Sequence, residues 1–476
     1  MPSPTPVTAV FDIGKTNKKF LLFDDKYSIV HKRQMSLEET VDEDGYSCED
    51  LPRLEEWLET VFREASENPD FKITALNFST YGASLVHLDD KGEVVAPLYN
   101  YLKPFPEDLA NAFYKKYGGR EHFVLQTASP PMGMLNSGLQ LYWLKHKKPD
   151  LFRKIRHSLH FPQYLSFLFT GRYAAELTSI GCHTGMWNFK DNNYHRWLEE
   201  EDILALLPEI QPVSTVAQVT YLENRLHAGV GIHDSSAALA PYLFAMEKPF
   251  IQLSTGTWSI SLNPFTTDPL TYEELAKDCL LYMNIYGEPV KASRLFLGSE
   301  YSHQKKKLER HSGLDQHADV EPDPVLLEKL VNLNRPEIKL QLETAHTSGP
   351  YPSEKPGNWD ISCFDTYTEA YHQLMIDLVS IQADSLKLAQ GSDETDQIII
   401  TGGFSKNDFF ARMLASFFPQ KNIYTAVTSH ASALGAALVM REKDTDSELL
   451  KDILGLKLHK PIGNVHIKEY SWADNH

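Results

Sequence analysis

A chain of 476 residues is too long for a single hydrophobic core, so two domains of roughly 200 residues each are expected. Hydrophobic residues make up 42% and aromatics 11%, as in ordinary globular proteins, while the formal charge is -18. That balance excludes a generic nucleic-acid binder or a protein held on an anionic membrane, both of which need clustered Lys and Arg, but it leaves room for one local anion site. "MPSPTPVTAVFD" has no basic stretch followed by an apolar one, so no signal peptide is expected. No apolar run approaches the roughly 20 residues of a membrane helix. Cys48, Cys182, Cys279 and Cys363 are scattered without metal-ligand spacing, which suits thiols in a reducing cytosol. A soluble, cytoplasmic protein is the expectation.

In chain order, "TAVFDI" and "KFLLFD" predict two strands of a hairpin. "LPRLEEWLETVFREASENP" places Leu54, Trp57, Leu58, Val61 and Phe62 at helical spacing and stops near Pro69. "KITALNFS" predicts a buried strand, and "ASLVHLDDKGEVVAP" two strands around the turn Asp90-Lys91-Gly92. Residues 105–215 are mostly helical in pattern. "SGLQLYWLKHKKPDLFRKI" carries Leu139, Tyr142, Trp143 and Leu144 on one stripe, and "FPQYLSFLFTGRY" is closed by Gly171. A helical insert on an α/β frame is a common place for a substrate cap. "GVGIHDSSAALAPYLFAM" predicts a loop and an Ala-rich helix, "PFIQLSTGTWSISLNPF" a strand, turn and strand, and "QIIITGGFSKNDFFARMLASFFP" a strand, glycine turn and helix. "SHASALGAALVMRE" closes with a small-residue helix; the stretch 303–360 is charged, weakly periodic and unassigned. Two α/β halves result, with a boundary near 240: an N-terminal domain over 1–240 and a C-terminal domain over 241–476. Each opens on the same strand-turn-strand grammar.

Four turns carry candidate chemistry. In Asp12-Ile13-Gly14-Lys15-Thr16-Asn17-Lys18, a tight turn of small residues exposes consecutive backbone N–H groups, an array that binds phosphate oxygens. Thr16 and Asn17 add donors, and Lys15 or Lys18 add charge. A carboxylate beside phosphate is repelled unless a divalent cation lies between them, so Asp12 suits the Mg2+ side. A plain hairpin turn would also favour Asp, Gly and Asn. Ser254-Thr255-Gly256-Thr257-Trp258 repeats that layout half a chain later and is either a polar hairpin turn or a second phosphate loop. Gly402 and Gly403 end the strand "QIII", where a base or ribose could approach the backbone; the alternative is a strand-to-helix turn with Asn407 near the helix start. Asp234 in Gly231-Ile232-His233-Asp234-Ser235-Ser236-Ala237 is either an N-cap or a general base for a sugar hydroxyl attacking a γ-phosphate.

Together these motifs resemble the FGGY family of carbohydrate kinases, in the actin-like and Hsp70-like ATPase superfamily. The Asp-x-Gly-x-Thr-Asn loop, "GIHDSSA", "STGTWS" and "TGGFSKN" occur in the family's order; "STYGASLVHLDDKGEVVAPLYNY" and "NSGLQLYWLKHKKPDLF" also resemble family segments. Within the family the wording is most similar to the L-rhamnulose and L-fuculose kinase branch. The resemblance implies two actin-like (ribonuclease H-like) α/β domains with a nucleotide and sugar cleft between them. It further implies ATP-dependent phosphorylation of a ketose, ATP and Mg2+ as cofactors, and homodimers, with neither nucleic acid nor membrane as partner. By position it implies Asp234 as proton acceptor, Asp12 on the Mg2+ side, and Gly82, His233 and Ser235 at the sugar. Lys15 to Lys19, with Gly14, Thr255, Gly256 and Thr257, would lie at the ATP phosphates, and Gly402, Gly403 and Asn407 at the adenosine. Two departures stand out: Lys15 occupies a position where many relatives carry a small residue, and "ASLVHLD" follows Gly82 where an acidic residue is expected. Other readings are a pentulose kinase, an actin- or chaperone-like ATPase driving protein interactions, and a silent sugar sensor, which should have lost Asp12 or Asp234.

Overall fold

The computed structural model describes residues 3–313, 320–333, 336–344, 359–392, 394–428, 430–440, 446–463, 465, 467 and 470. The chain forms two compact units, one of Met1–Ala245, Leu281–Pro289 and His430–Ile453, the other of Met246–Leu280, Val290–Ser429 and Leu454–His476. They do not follow a single cut near residue 240. The helix Ala431–Leu438 joins the first unit because it packs on the helix Asp234–Ala245: a Cβ on Gly435 would overlap the Ala237 carbonyl oxygen. Only a chain of small residues lets two helix backbones come that close, which is what "ASALGAAL" provides. Asn77 completes the contact, its amide donating to the Ala436 carbonyl at 2.7 Å.

In the first unit, Thr5–Ile13, Asn17–Phe23 and Ile29–Ser36 form an antiparallel meander. Phe71–Thr80 runs parallel to Thr5–Ile13, and Asn224–Gly229 and the short Ile232–His233 run parallel to Phe71–Thr80. The helix Leu51–Glu67 begins where Asp50 accepts from the Arg53 N–H at 3.3 Å, and it buries Leu54, Leu58, Val61 and Phe62. Each such side chain contributes about 1.5–3 kcal/mol on leaving water.

The second unit repeats this design. Phe250–Thr255 pairs antiparallel with Ser259–Asn263, which pairs with Pro289–Leu295; Gln397–Gly402 runs parallel to Phe250–Thr255, and Asn422–Thr425 parallel to Gln397–Gly402. The long helix Tyr367–Gln390 covers the sheet through Leu374, Leu378 and Leu386, which share a core with Ile251, Leu253, Ile398 and Ile400.

Some expectations are corrected. The segment after Gly82 turns back at Asp90-Lys91-Gly92 as expected, with the Val95 N–H donating to the His87 carbonyl at 2.9 Å, but only its first arm, Leu85–Leu88, is a strand. The Asp89 carboxylate accepts from the Lys91 and Glu93 N–H groups and closes the turn, Val94 makes an isolated bridge to Leu88, and the strand partner of Leu85–Leu88 is His157–His160. The helix Ser137–Lys147 ends before Pro149, which starts a separate turn, Pro149–Phe152. The unassigned stretch contains most of Leu297–His311 and all of Pro324–Leu333, while residues 345–358 lie outside the described residues. Among the described residues no helix is long and apolar enough to cross a membrane.

Candidate active site

In the first unit, three parallel strands end together. Ile13 is in register with Thr80, and Thr80 with His233. Asp12, Tyr81, Gly82 and Asp234 thus lie at the carboxyl ends of neighbouring strands, where α/β sheets place ligands. Asp234 opens the helix Asp234–Ala245 immediately after the strand Ile232–His233. Its side chain keeps 37% of its surface open, while His233 beside it keeps 6%. Burial pushes the Asp234 pKa above the ordinary aspartate value; His233 opposes the shift and the Asp12 charge adds to it. A carboxylate raised in this way is a better proton acceptor.

His233 stands 3.6 Å from the Asp234 carboxylate through Nε2. Its ring lies against Gly82, where a Cβ would come within 2.5 Å of Nε2, so only glycine leaves the imidazole its place. Burial holds the His233 pKa below the ordinary histidine value, which keeps the ring neutral at pH 7. Its Nδ1 is buried and has no hydrogen-bond partner among the described residues. Such an atom calls for a hydroxyl or a water. The His233 N–H donates to the Thr178 hydroxyl at 3.0 Å, and the Ser235 hydroxyl donates to Asp234 at 3.3 Å.

The loop after Asp12 is closed from within. The Gly14 N–H donates to the Asn17 carbonyl at 2.9 Å. Lys18 Nζ donates to the Gly14 and Lys15 carbonyls at 3.0 and 3.1 Å and pairs with Glu49 at 2.7 Å. The N–H groups of Lys15 and Thr16 donate to no acceptor among the described residues, which leaves an anion cradle. The expectation that Lys18 offers its charge to phosphate is corrected: its side chain is fully buried and its ammonium is consumed in holding the loop. Lys18→Met would take from the buried Glu49 its close cation and leave it the Tyr81 hydroxyl and Lys15 at 4.0 Å. A loss of about 3–5 kcal/mol in denaturant unfolding is expected, with part of it recovered by adding Glu49→Gln.

Asp12 is 5% exposed and accepts from the Ser432 hydroxyl at 2.9 Å and from Lys19 Nζ at 3.2 Å. No cluster of three or more acidic, His or Cys ligands occurs among the described residues. A single carboxylate of this kind fits Mg2+, which keeps waters and takes its remaining ligands from substrate phosphates. Asn17 turns its side-chain oxygen to Gln34, from which it accepts at 3.0 Å; Thr16 is exposed.

In the second unit, the loop after Thr255 stands at the same topological place. The Gly256 N–H donates to the Trp258 carbonyl at 2.8 Å, and the Thr257 and Trp258 N–H groups have no acceptor among the described residues. Thr255 itself is buried. Its hydroxyl donates to the Thr401 carbonyl and accepts from the Phe404 N–H, so it ties two strand ends together and leaves ligand contact to Gly256 and Thr257. Beside this loop opens a pocket of about 820 Å3, within the range of small-molecule sites. Gly256, Thr257, Gly298, Gly403 and Asn407 line it, with Tyr301, Tyr371, Phe404 and Phe409 as its aromatic walls. Gly402 is left-handed at φ 78°, and a Cβ there would overlap the Thr255 carbonyl. Asn407 caps the helix Asp408–Phe417 by accepting from the Phe410 N–H at 3.0 Å, and its amide lies 3.4 Å from both the Tyr301 and Tyr371 hydroxyls. The cap and the pocket-lining role coexist.

Sequence reasoning gave Gly298 no place in the site beyond a loose fit of Ser293, Arg294 and Gly298 in "KASRLFLGSEYSHQ" to a family segment, and missed Tyr301 and Tyr371. Gly298 lets the helix Leu297–His311 start against the loop, with the Ser299 N–H donating to the Thr257 carbonyl at 3.2 Å. Tyr301 and Tyr371 come from separate helices, and nothing local marks either as a pocket wall.

Residues 7–236 match the N-terminal domain of the FGGY family of carbohydrate kinases, and residues 247–448 match the C-terminal domain of FGGY carbohydrate kinases. A rhamnulokinase of Halalkalibacterium halodurans is 23% identical over 430 residues, 85% of each chain. One of Mannheimia succiniciproducens is 26% identical over 295 residues, 59% of this chain and 57% of that one. Among solved structures, a carbohydrate kinase from Novosphingobium aromaticivorans is 25% identical with a TM-score of 0.80, covering 97% of this chain and 95% of that one. A xylulose kinase from Lactobacillus acidophilus, 16% identical with a TM-score of 0.74 over the same shares, has the same fold.

Proposed function

Since the chain belongs to the FGGY family of carbohydrate kinases and is an ATP-dependent carbohydrate kinase, we propose that it phosphorylates a primary hydroxyl of a ketose, a 6-deoxy-ketose such as L-rhamnulose or L-fuculose, with Asp234 as general base. The observation that carries this reading is the pair Asp234–His233: a recessed carboxylate with a raised pKa beside a neutral imidazole whose Nδ1 lacks a partner. One group takes a proton and the other donates to or accepts from a hydroxyl of the bound sugar. The rhamnulokinase relatives favour a 6-deoxy-ketose within the class.

In the reaction, the sugar hydroxyl oxygen bonds to the γ-phosphorus, the bond from that phosphorus to the β,γ-bridging oxygen breaks, and ADP leaves. The hydroxyl proton passes to the Asp234 carboxylate. Little covalent chemistry is asked of the protein, mainly positioning and charge neutralisation. In the second unit the pocket walled by Tyr301, Tyr371 and Phe404 takes the adenosine, with Gly403 and Asn407 at its edge and the Thr257 and Trp258 N–H groups free for phosphate oxygens. In the first unit the Lys15 and Thr16 N–H groups take phosphoryl oxygens. Mg2+ on the Asp12 side would neutralise phosphate charge.

A coupled ADP-release screen over L-rhamnulose, L-fuculose, D- and L-xylulose, L-ribulose and glycerol tests this. The highest kcat/KM is expected with a 6-deoxy-ketose. A higher value for a pentulose would overturn the sugar assignment, and no sugar-stimulated release at all would overturn the ketose-kinase reading.

A further inference from the structure

Lys15, the residue with no counterpart in the loop chemistry, has a defined place. Its Nζ pairs with the Glu39 carboxylate, lies 4.0 Å from Glu49, and sits 5.6 and 5.7 Å from the ring centroids of Tyr81 and Tyr101. Lys18, three residues on, is sealed at 0% exposure, but the Lys15 and Glu39 side chains keep 26% and 33% of their surface. The pair is therefore held in place yet reachable. Glu39 is steadied in turn by the Asn100 amide at 3.3 Å.

The same two tyrosines lead to Asp234. Tyr81 precedes Gly82, the residue against which His233 packs. Tyr101 stands edge-on to Tyr81, with ring centroids 6.2 Å apart. Burial first, then the charges of Asp234 and Glu39, hold the Tyr101 pKa above the ordinary tyrosine value. The Lys15–Glu39 pair thus lies over two rings of which one, Tyr81, leads through Gly82 to the His233 ring beside Asp234.

Charge decides what that pair can read. A phosphate would have to take Lys15 away from Glu39 and then face two carboxylates, Glu39 and Glu49. A neutral polyol has no such conflict, because one hydroxyl can accept from the ammonium while its neighbour donates to the carboxylate, and sugar C–H faces pack on aromatic rings. Resting on the ketose-kinase reading, we propose that Lys15 and Glu39 determine acceptor specificity by binding two vicinal hydroxyls of the sugar over the Tyr81 and Tyr101 rings.

The test compares wild type with Lys15→Met and Glu39→Gln, using steady-state ADP release and calorimetric binding of the preferred ketose without nucleotide. Each variant is expected to raise the KM and the Kd for the sugar by about tenfold or more while KM for ATP stays unchanged, and the double variant should cost less than the product of the singles. Discrimination against the analogue lacking one of the two hydroxyls should shrink, since the unpaired partner is gone. A raised KM for ATP with an unchanged sugar KM would place Lys15 at the phosphates and overturn the proposal, as would variants indistinguishable from wild type. If Lys15→Met fails to fold, Lys15→Arg and Glu39→Gln carry the comparison. If wild type releases no ADP with any sugar, the ketose-kinase reading falls, and calorimetry alone decides: sugar binding lost in the variants keeps the proposal, and binding unchanged or absent from wild type overturns it.

Discussion

Replacing Asp234 with Asn is expected to lower kcat for sugar phosphorylation by about 10^2–10^4-fold, the usual contribution of a positioned base, with nucleotide affinity unchanged. Asn keeps the shape and the contact with Ser235 but takes no proton. The pH profile adds a second signature. A base works when ionised, and burial together with the Asp12 charge, opposed by His233, holds the Asp234 pKa above its ordinary 3.8. The acid limb of kcat/KM in the wild type is therefore expected above that value, activity falling as pH drops through it, and the limb should vanish from the residual rate of the Asn variant. Near-wild-type turnover in that variant would remove Asp234 from the role.

The second large effect is expected from a pair of neighbouring glycines that respond oppositely. Gly402→Ala places a side chain at φ 78° and drives its Cβ into the Thr255 carbonyl. Strain and overlap together are expected to cost about 2–6 kcal/mol in denaturant unfolding and to abolish nucleotide binding. Gly403→Ala meets nothing closer than the Thr255 carbonyl at 3.9 Å and has no left-handed φ. Its stability should match wild type, while its affinity for a fluorescent ATP analogue falls by about tenfold or more, because the added methyl would enter the proposed adenosine pocket that Gly403 lines. Equal stability of the two variants would contradict the geometry at Gly402. Unchanged nucleotide affinity in Gly403→Ala would remove that backbone from the nucleotide site.

Much of the architecture was legible in the sequence for a physical reason. Strand-turn-strand units with Asp, Gly and Thr at fixed offsets can bring only a few backbone shapes, and the two sheets repeat the order that the two turns suggested. The place of Asp234 at the foot of a small-residue helix was legible in "HDSSAALA". The roles of the two lysines were not. Lys18 is neutralised by Glu49 and Lys15 by Glu39, partners from the segment between Ile29–Ser36 and Leu51–Glu67 whose position is set by tertiary pairing rather than by local pattern. The helix Ala431–Leu438 carried a visible small-residue stripe, but the stripe says only that something packs close, not that the partner is Asp234–Ala245. The aromatic walls at Tyr301 and Tyr371 were hidden for the same reason: each is ordinary on its own helix and becomes a pocket wall only when the two helices meet Asn407.

The proposed reaction transfers the ATP γ-phosphoryl group to a primary hydroxyl of a ketose. Proton-coupled 31P NMR of the reaction mixture with ATP, Mg2+ and the preferred 6-deoxy-ketose reads that product. A new phosphomonoester resonance split into a triplet by a CH2 group, growing in step with ADP, is the predicted result. A doublet from a secondary carbon, or inorganic phosphate as the sole product, would contradict it.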